Sequence, residues 1–305
     1  MNPQQDTKKH VLLVDFNNIF HQAHSPWTQS NPNESNNAVI FNFLNVITST
    51  YKNMEATHLV FCFEGRPEFR KALYPSYKAN RKKDKDLPVY THFYRQIEWM
   101  QKNIHQLIRC TSMRHLNLES DDCIYEACHR ISSALYNEDD VITIISADKD
   151  LIQCLDIDPR IKLYSSVGKS YRERQDNFLM IKSLAGDSSD NIHGIARVGE
   201  VRAKQIIEGG IDKWLNEALE LHCDIFRRNM KICKLYRWKE YEEYVSTHMA
   251  DSEISQLTEN AQHIFMSDSN YYHNCIKAFG DLGIKDPKMI EKVINMNMSL
   301  RVMPV

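Results

Sequence analysis

The sequence has no apolar run approaching the ~18–20 residues that span a bilayer, so nothing in it reads as a transmembrane helix. The stretch Met1 to Lys9 is polar, and the apolar run Val11–Val14 after it is far too short for a secretory signal. The expectation is a cytoplasmic protein that does not engage a membrane. None of the eight cysteines, Cys62, Cys110, Cys123, Cys128, Cys154, Cys223, Cys233 and Cys275, forms a C-x-x-C pair. Most sit among apolar residues, which suits reduced core thiols better than disulfides or a zinc site. His21 and His24 could share a helix face, but a pair without further ligands is a weak metal signal. No P-loop, Ser-His-Asp arrangement, internal repeat or low-complexity block occurs. An excess of one charge is missing too: the net charge is −2, so there is no global pull toward nucleic acid. The 305 residues, 42% hydrophobic and 26% charged, suit one large or two smaller globular domains with a sizeable core.

What is present is local. Residues 66–109 hold eleven Lys/Arg against four acids, a local net of +7. Phe69, Tyr74 and Tyr77 are interleaved there with Arg70, Lys71, Lys78, Arg81, Lys82 and Lys83. Basic groups hold phosphates and rings stack on bases, although such a run also fits a solvated surface over buried aromatics. Arg227, Arg228, Lys231, Lys234, Arg237 and Lys239 make a later basic stripe of helical spacing.

Short apolar runs predict strands at His10–Val14, Thr57–Phe63, Ser112–Asn117, Val141–Ile145 and Ile161–Tyr164. Helical spacing is read at Ala38–Tyr51, from Phe93 to Leu107, from Ile124 to Leu135, and through Ala203, Ile206 and Ile207. The alternation predicts an α/β fold, with a mostly parallel central sheet and helices on both faces. Residues 1–9 read as a disordered tail, 25–37 as a loop, and 240–305 as polar and helical without a motif.

Acids recur at the predicted strand ends: Asp15, Glu64, then Asp148 and Asp150. Asp187 and Asp190 precede a glycine-bearing turn, and Glu119-Ser120-Asp121-Asp122 opens a helix. Taken alone, that last cluster reads as a solvated helix start. Yet two charges ~5 Å apart cost about 3 kcal/mol at an effective dielectric of ~20, and a helix N-terminus offsets at most ~2 kcal/mol. In a parallel sheet the C-terminal strand ends share one edge, where ligands bind. So many carboxylates there call for hard cations, Mg²⁺ or Mn²⁺, and two such ions suit in-line displacement at phosphorus.

These motifs resemble the 5′-nuclease superfamily of flap endonucleases and 5′→3′ exonucleases. The likeness is nearest to the single-domain bacteriophage enzymes and to the 5′-nuclease domain of bacterial DNA polymerase I. It rests on Val14-Asp15-Phe16-Asn17-Asn18, Phe63-Glu64-Gly65 with Phe69-Arg70, and Tyr77-Lys78-Ala79-Asn80-Arg81. It continues through Glu119-Ser120-Asp121-Asp122, Ser146-Ala147-Asp148-Lys149-Asp150 and Gly186-Asp187-Ser188-Ser189-Asp190-Asn191-Ile192, six motifs in order over roughly residues 10–210.

The resemblance implies a PIN-like catalytic domain over 10–185, with a helical arch at about 70–105 that threads a single-stranded 5′ end. A helix–turn–helix and C-terminal helical domain over 186–305 would grip duplex. Asp15, Glu64, Glu119 and Asp121 match a first metal cluster, Asp148, Asp150, Asp187 and Asp190 a second, and Asp122 an acid of the shared centre. Lys78 matches a group that stabilises charge on the scissile phosphate, and Arg81 a phosphate-binding neighbour. Arg70, Tyr77, Lys82, Lys83, Gly194, Arg197, Gly199, Arg202 and Lys204 are the implied nucleic-acid contacts. Two Mg²⁺ or Mn²⁺ ions, and K⁺ at the helix–turn–helix, are the implied cofactors. DNA with a free 5′ end or 5′ flap, RNA–DNA hybrid and a replication single-strand-binding protein are the implied partners of a monomer.

Two positions depart from the family pattern: Glu64 stands where Asp is usual, and Arg197 replaces the first glycine of a Gly-x-Gly turn. The expected activity is divalent-metal-dependent 5′→3′ exonuclease and 5′ flap endonuclease hydrolysis during replication. The rival readings are an RNase H-type primer-removing nuclease and an inactive structure-specific DNA-binding protein on the same fold.

Overall fold

The computed structural model describes residues 8–24, 37–81, 88–165, 170–249, 261–267 and 271–305. The expected tail therefore lies outside the described residues except for Lys8 and Lys9, as do Lys82 and Lys83. No helix among the described residues is long and apolar enough to cross a membrane.

A seven-stranded sheet organises the chain, in the order β6-β5-β4-β1-β2-β3-β9. The five strands read from sequence are β1 (His10–Asp15), β2 (His58–Phe63), β3 (Thr111–His115), β4 (Val141–Ile145) and β5 (Ile161–Ser165), and neighbours among them pair in parallel. Their continuous apolar runs are those of strands covered on both faces. Alternate residues serve opposite layers: Leu12 and Val14 enter one core, Val11 and Leu13 the other. The first core is completed by α1 (Phe16–Ala23), α2 (Ala38–Asn53) and α4 (Pro88–Leu107); α3 (Glu68–Leu73) precedes α4. The second is completed by α5 (Ser120–Ala134) and the 3₁₀ helix Asp150–Asp156.

Two edge strands were not foreseen. β6 (Ser170–Arg172) pairs antiparallel with β5, and β9 (Gln262–Met266) pairs antiparallel with β3. The second corrects the all-helical reading of 240–305. Gln262-His263-Ile264-Phe265-Met266 is too short and too mixed to show a period of two. After it, α11 (Tyr271–Asp281) and α12 (Pro287–Ser299) return to the first core through Cys275, Phe279, Met289 and Val293. β9, α11 and α12 thus pack on the sheet and its first core rather than on the separate unit that begins near 178.

That unit contains α6 (Phe178–Ala185), the two-residue strands β7 (Gly186–Asp187) and β8 (Ile192–His193), α7 (Glu200–Glu208), α8 (Ile211–Glu217) and α9 (Glu220–Cys233). Leu184, Ile195, Ala203, Ile206 and Phe226 form its small core. Beyond it, α10 (Trp238–His248) packs on the second face of the sheet through Trp238 and Tyr241.

The register fixes where the strands end. Val14 lies opposite Phe61 on one side and Ile145 on the other, so the residues that follow β1, β2 and β4 emerge at one edge. Gly65 lets that edge close. A Cβ there would stand 2.0 Å from the His115 carbonyl oxygen and 2.2 Å from that of Leu118, the backbone leading into Glu119. Gly65→Ala is expected to cost about 2–3 kcal/mol of stability, in the range of core overpacking. Gly199→Ala, where nothing lies within 4 Å of the added Cβ, should cost less than about 1 kcal/mol. Urea denaturation of the two variants checks the contrast.

Candidate functional site

Asp15 ends β1 and caps α1, accepting from Asn18 N at 3.3 Å and from Ser146 Oγ at 2.7 Å. Glu64 follows β2 and accepts from Ser120 N at 3.2 Å, which ties it to the start of α5. Glu119 is the N-cap of α5, and Asp121 lies in its first turn. Burial raises the pKa of Asp15 to about 6. Burial, then the charge of Glu119, raises Glu64 to about 7. Asp121 is pushed well above the ordinary range by burial and by Asp148, Asp15 and Glu64. Glu119 moves the other way. Burial opposes its ionisation, but Lys78 and Arg70 outweigh burial and hold it below its ordinary value. Lys78 Nζ pairs with Glu119 Oε1, Arg70 Nη1 is 3.3 Å from Oε2, and Tyr77 Oη donates to Oε2 at 2.7 Å.

Beside this set, carboxylate oxygens of Asp150, Asp187 and Asp190 all lie within 4.8 Å of one another. Lys182, which the sequence reading passed over, reaches into them. Its Nζ is 2.5 Å from both oxygens of Asp150 and 2.7 Å from Asp187 Oδ2. Burial works to raise Asp187, but hydrogen bonds from Lys182 and Ser189 prevail and hold it at about 2. Asp150 is raised by burial in spite of Lys182. Asp190 receives Arg81 Nη2 at 2.6 Å and Tyr77 Oη at 3.3 Å. Lys78 Nζ stands 3.8 Å from Asp190 Oδ2, so this one ammonium joins Glu119 to Asp190. The backbone at Lys78 is left-handed, φ 55°, and its N–H donates to Asp190 O at 2.9 Å. Strain of that kind, about 1–2 kcal/mol, persists where surrounding contacts enforce it. Asn191 Nδ2 to Ser76 O (2.7 Å) and Asn80 Nδ2 to Ser188 O (2.9 Å) are two such contacts.

Other expected residues are placed differently. Asp122, expected at the shared metal centre, and Arg70, expected on nucleic acid, are each other's partners. Arg70 Nη1 and Nη2 meet the two Asp122 oxygens at 2.5 and 2.9 Å, and both side chains are buried. Asp122 also accepts from Tyr236 N at 2.9 Å, and Arg70 Nε donates to Ile232 O at 2.9 Å. The pair fastens the end of α9 to the acid-bearing helix. Tyr77, expected to stack on bases, is buried between Glu119 and Asp190.

Gly194 is packed on the end of α6, where a Cβ would meet Ala185 O at 2.1 Å, so its role is close approach. Arg197 occupies the left-handed region, φ 64°, in which glycine is favoured, and its side chain is exposed. Gly199 caps α7, which carries Arg202 and Lys204, both exposed. His21 and His24 pack on the Phe93 ring at 4.7 and 4.4 Å. All eight cysteines are buried and free, as expected.

A cavity of about 590 Å³ opens beside the second acid set, lined by Asp148, Asp150, Arg172, Lys182, Asp187 and Lys204 among others. Its donors are carboxylate oxygens, which suit hard divalent ions. In the first set burial disfavours the charged forms of Asp15, Glu64 and Asp121, while Lys78 and Arg70 favour the charged form of Glu119. Among the described residues, Asp150, Asp187 and Asp190 are the acids whose oxygens stand close enough together to share an ion, and that donor set fits a hard divalent metal.

The edge of this mostly parallel sheet is thus lined with carboxylates and bordered by lysines and arginines that pair with several of them. The family model described as the 5′-3′ exonuclease N-terminal, resolvase-like domain matches residues 10–182, more than half of the chain. The chain belongs to that family, within the 5′-nuclease superfamily. It is 27% identical over 224 residues to DNA polymerase I of Lactococcus lactis subsp. lactis (strain IL1403), 67% of this chain and 24% of that one. It is 25% identical over 203 residues to a 5′-3′ exonuclease of Buchnera aphidicola subsp. Schizaphis graminum (strain Sg), 63% of this chain and 67% of that one. The chain thus spans about a quarter of the length of the polymerase relatives. In fold it is similar to a T5 5′-exonuclease solved with divalent zinc ions bound, with a TM-score of 0.55, 16% identity, 95% of this chain and 100% of that chain covered.

The first acid set sets a pH dependence. A carboxyl whose folded pKa exceeds its unfolded value stabilises the protein fully below the unfolded value, and that contribution is lost as pH rises through the folded value. For Glu64 the window runs from 4.5 to about 7. In chelator, Glu64→Gln should be more stable than the parent by up to about 2 kcal/mol at pH 8, with the gap closing by pH 5. Millimolar Mg²⁺ at pH 8 should reverse the order. Thermal melts of the two proteins under these three conditions test this.

Proposed function

We propose that the chain is a divalent-metal-dependent 5′→3′ exonuclease and structure-specific 5′ flap endonuclease acting on DNA in replication. The observation that carries this reading is the pair of adjoining acid sets at one sheet edge, linked by Lys78 between Glu119 and Asp190. Asp15, Glu64, Glu119 and Asp121 would hold one ion, and Asp148, Asp150, Asp187 and Asp190 the other, preferably Mg²⁺ or Mn²⁺. Ions there would supply an activated water and charge neutralisation at the leaving oxygen.

The protein's own groups do the rest. Lys78 keeps a fixed positive charge where a phosphodiester spanning both sets would accumulate negative charge. Arg81, now on Asp190, is within reach of an arriving phosphate oxygen. Tyr77 and Arg70 hold Glu119 in place, and Asp122 holds Arg70. Residues 70–105 would act as the arch that accepts a single-stranded 5′ end, with Lys82 and Lys83 along it. The segment 187–204 would grip duplex phosphates as a helix–turn–helix, with K⁺ among its carbonyls and Arg197, Arg202 and Lys204 facing the strand. RNA–DNA hybrid is a further substrate in this reading. The working form is a cytoplasmic monomer recruited by a replication single-strand-binding protein.

Labelled 5′-flap, blunt duplex and RNA–DNA hybrid, incubated with and without Mg²⁺, decide the matter. Flap and duplex should be cut only with the ion; binding without cleavage of any substrate would remove the enzyme reading. Asp148→Asn should lower the rate by at least about 100-fold while affinity changes less than about 3-fold, and Lys78→Ala should lower the single-turnover rate on the order of 100-fold. An unchanged rate in either variant contradicts its assigned role.

A further inference from the structure

We infer that Arg172 is a substrate-binding residue that holds a backbone phosphate at a linkage other than the one cut. The inference rests on the nuclease reading above. Arg172 ends β6, the antiparallel edge strand, and its side chain lies on the wall of the 590 Å³ cavity that also contains Asp148, Asp150, Asp187 and Lys204. Lys78, Arg81 and Glu119 are not on that wall, so Arg172 and the lysine proposed to face the scissile phosphate do not share it.

Its pairing sets Arg172 apart from Lys78, Arg81 and Lys182. Lys78 is held by Glu119, Arg81 by Asp190, and Lys182 by Asp150 and Asp187. Arg172 stands on the same wall as Asp148, Asp150, Asp187 and Glu200, yet among the described residues no ion pair joins it to any of them. Its Nη2 donates to a neutral acceptor, Ala147 O, at 2.7 Å. Its Nε is enclosed by protein and has no hydrogen-bond partner. A guanidinium held by one neutral bond, with a buried donor unsatisfied, gives up little when it turns to a better acceptor.

A phosphate offers two oxygens in the geometry of the guanidinium fork, and a metal ion offers nothing to it. The bond to Ala147 also places the guanidinium beside the acid-bearing loop. Ala147 N accepts no motion freely, since it donates to Asn18 Oδ1 at 3.1 Å, and Asp148 is the next residue. Lys149 and Lys204, both exposed and lining the same cavity, supply further cations there. A strand passing between β6 and α7 would therefore meet Arg172 and Lys204 together.

The test uses the full chain and a 5′-flap DNA carrying a single uncharged methylphosphonate linkage, moved one position at a time around the junction. Cleavage of the unmodified flap in Mg²⁺ is scored first, and its absence removes the nuclease reading itself. Binding is then measured with Ca²⁺ in place of Mg²⁺. Arg172→Ala should bind about 10-fold more weakly and lower the slope of log affinity against log salt by about one unit. One linkage, distinct from the cut one, should weaken the parent about 10-fold and leave Arg172→Ala unaffected. Arg172→Lys should recover part of the affinity, and the rate at saturating DNA should change less than about 3-fold in both variants. If every linkage costs the variant as much as the parent, or the saturated rate falls with affinity unchanged, Arg172 does not hold a phosphate.

Discussion

Crowded negative charge at the C-terminal edge of the sheet is the constraint on which the rest depends. Strand register delivers Asp15, Glu64 and Asp148 to that edge, and the starts of α5 and β7 add Glu119, Asp121 and Asp187. The protein answers part of this charge itself. Lys78 and Arg70 serve Glu119, and Lys182 serves Asp150 and Asp187. What remains falls on Asp15, Glu64 and Asp121, whose ionisation is disfavoured. Basic groups thus keep some acids ionised, and the others are the ones proposed to meet hard cations.

Scaffold and site are joined through buried polar contacts. Gly65 permits the close approach that brings Glu64 to the start of α5. The Arg70–Asp122 pair reaches from α3 through α5 to the backbone beyond α9, so the acid helix and the unit proposed to grip duplex share a rigid connection. A buried pair of this kind gives little net stability over an apolar substitute, but loss of one partner leaves a charge stranded, at about 3–5 kcal/mol. Its value here is positional: it keeps Glu119 at fixed distance from Lys78. Residues 262–305, returning to the far edge of the sheet, complete the core that supports β1 and β2.

Much of this was legible in the sequence because buried parallel strands are continuous apolar runs, and an acid closing such a run is visible without a structure. Val11–Val14 before Asp15, and Val141–Ile145 before Asp148, are of that kind. The Arg197 departure was legible too, and the structure gives it meaning: an arginine occupies a left-handed position that glycine adopts without strain. The pairing of Arg70 with Asp122 was not legible. The two are 52 residues apart, and nothing local distinguishes an arginine that meets phosphate from one that is buried on a carboxylate. Lys182 left a signal that could have been used, a lone cation in the apolar helix Phe178-Leu179-Met180-Ile181-Lys182-Ser183-Leu184-Ala185. β9 left none, since its pairing depends on a neighbour some 150 residues away.

The central claim is that the two acid sets hold two divalent ions and that the lysines now among them give way. Anomalous diffraction from crystals soaked in Mn²⁺ tests it most directly. One peak is expected among Asp15, Glu64, Glu119 and Asp121, and a second among Asp148, Asp150, Asp187 and Asp190, with Lys182 Nζ moved off Asp150. No peak at either set, with Lys182 still on Asp150 and Asp187, would contradict it.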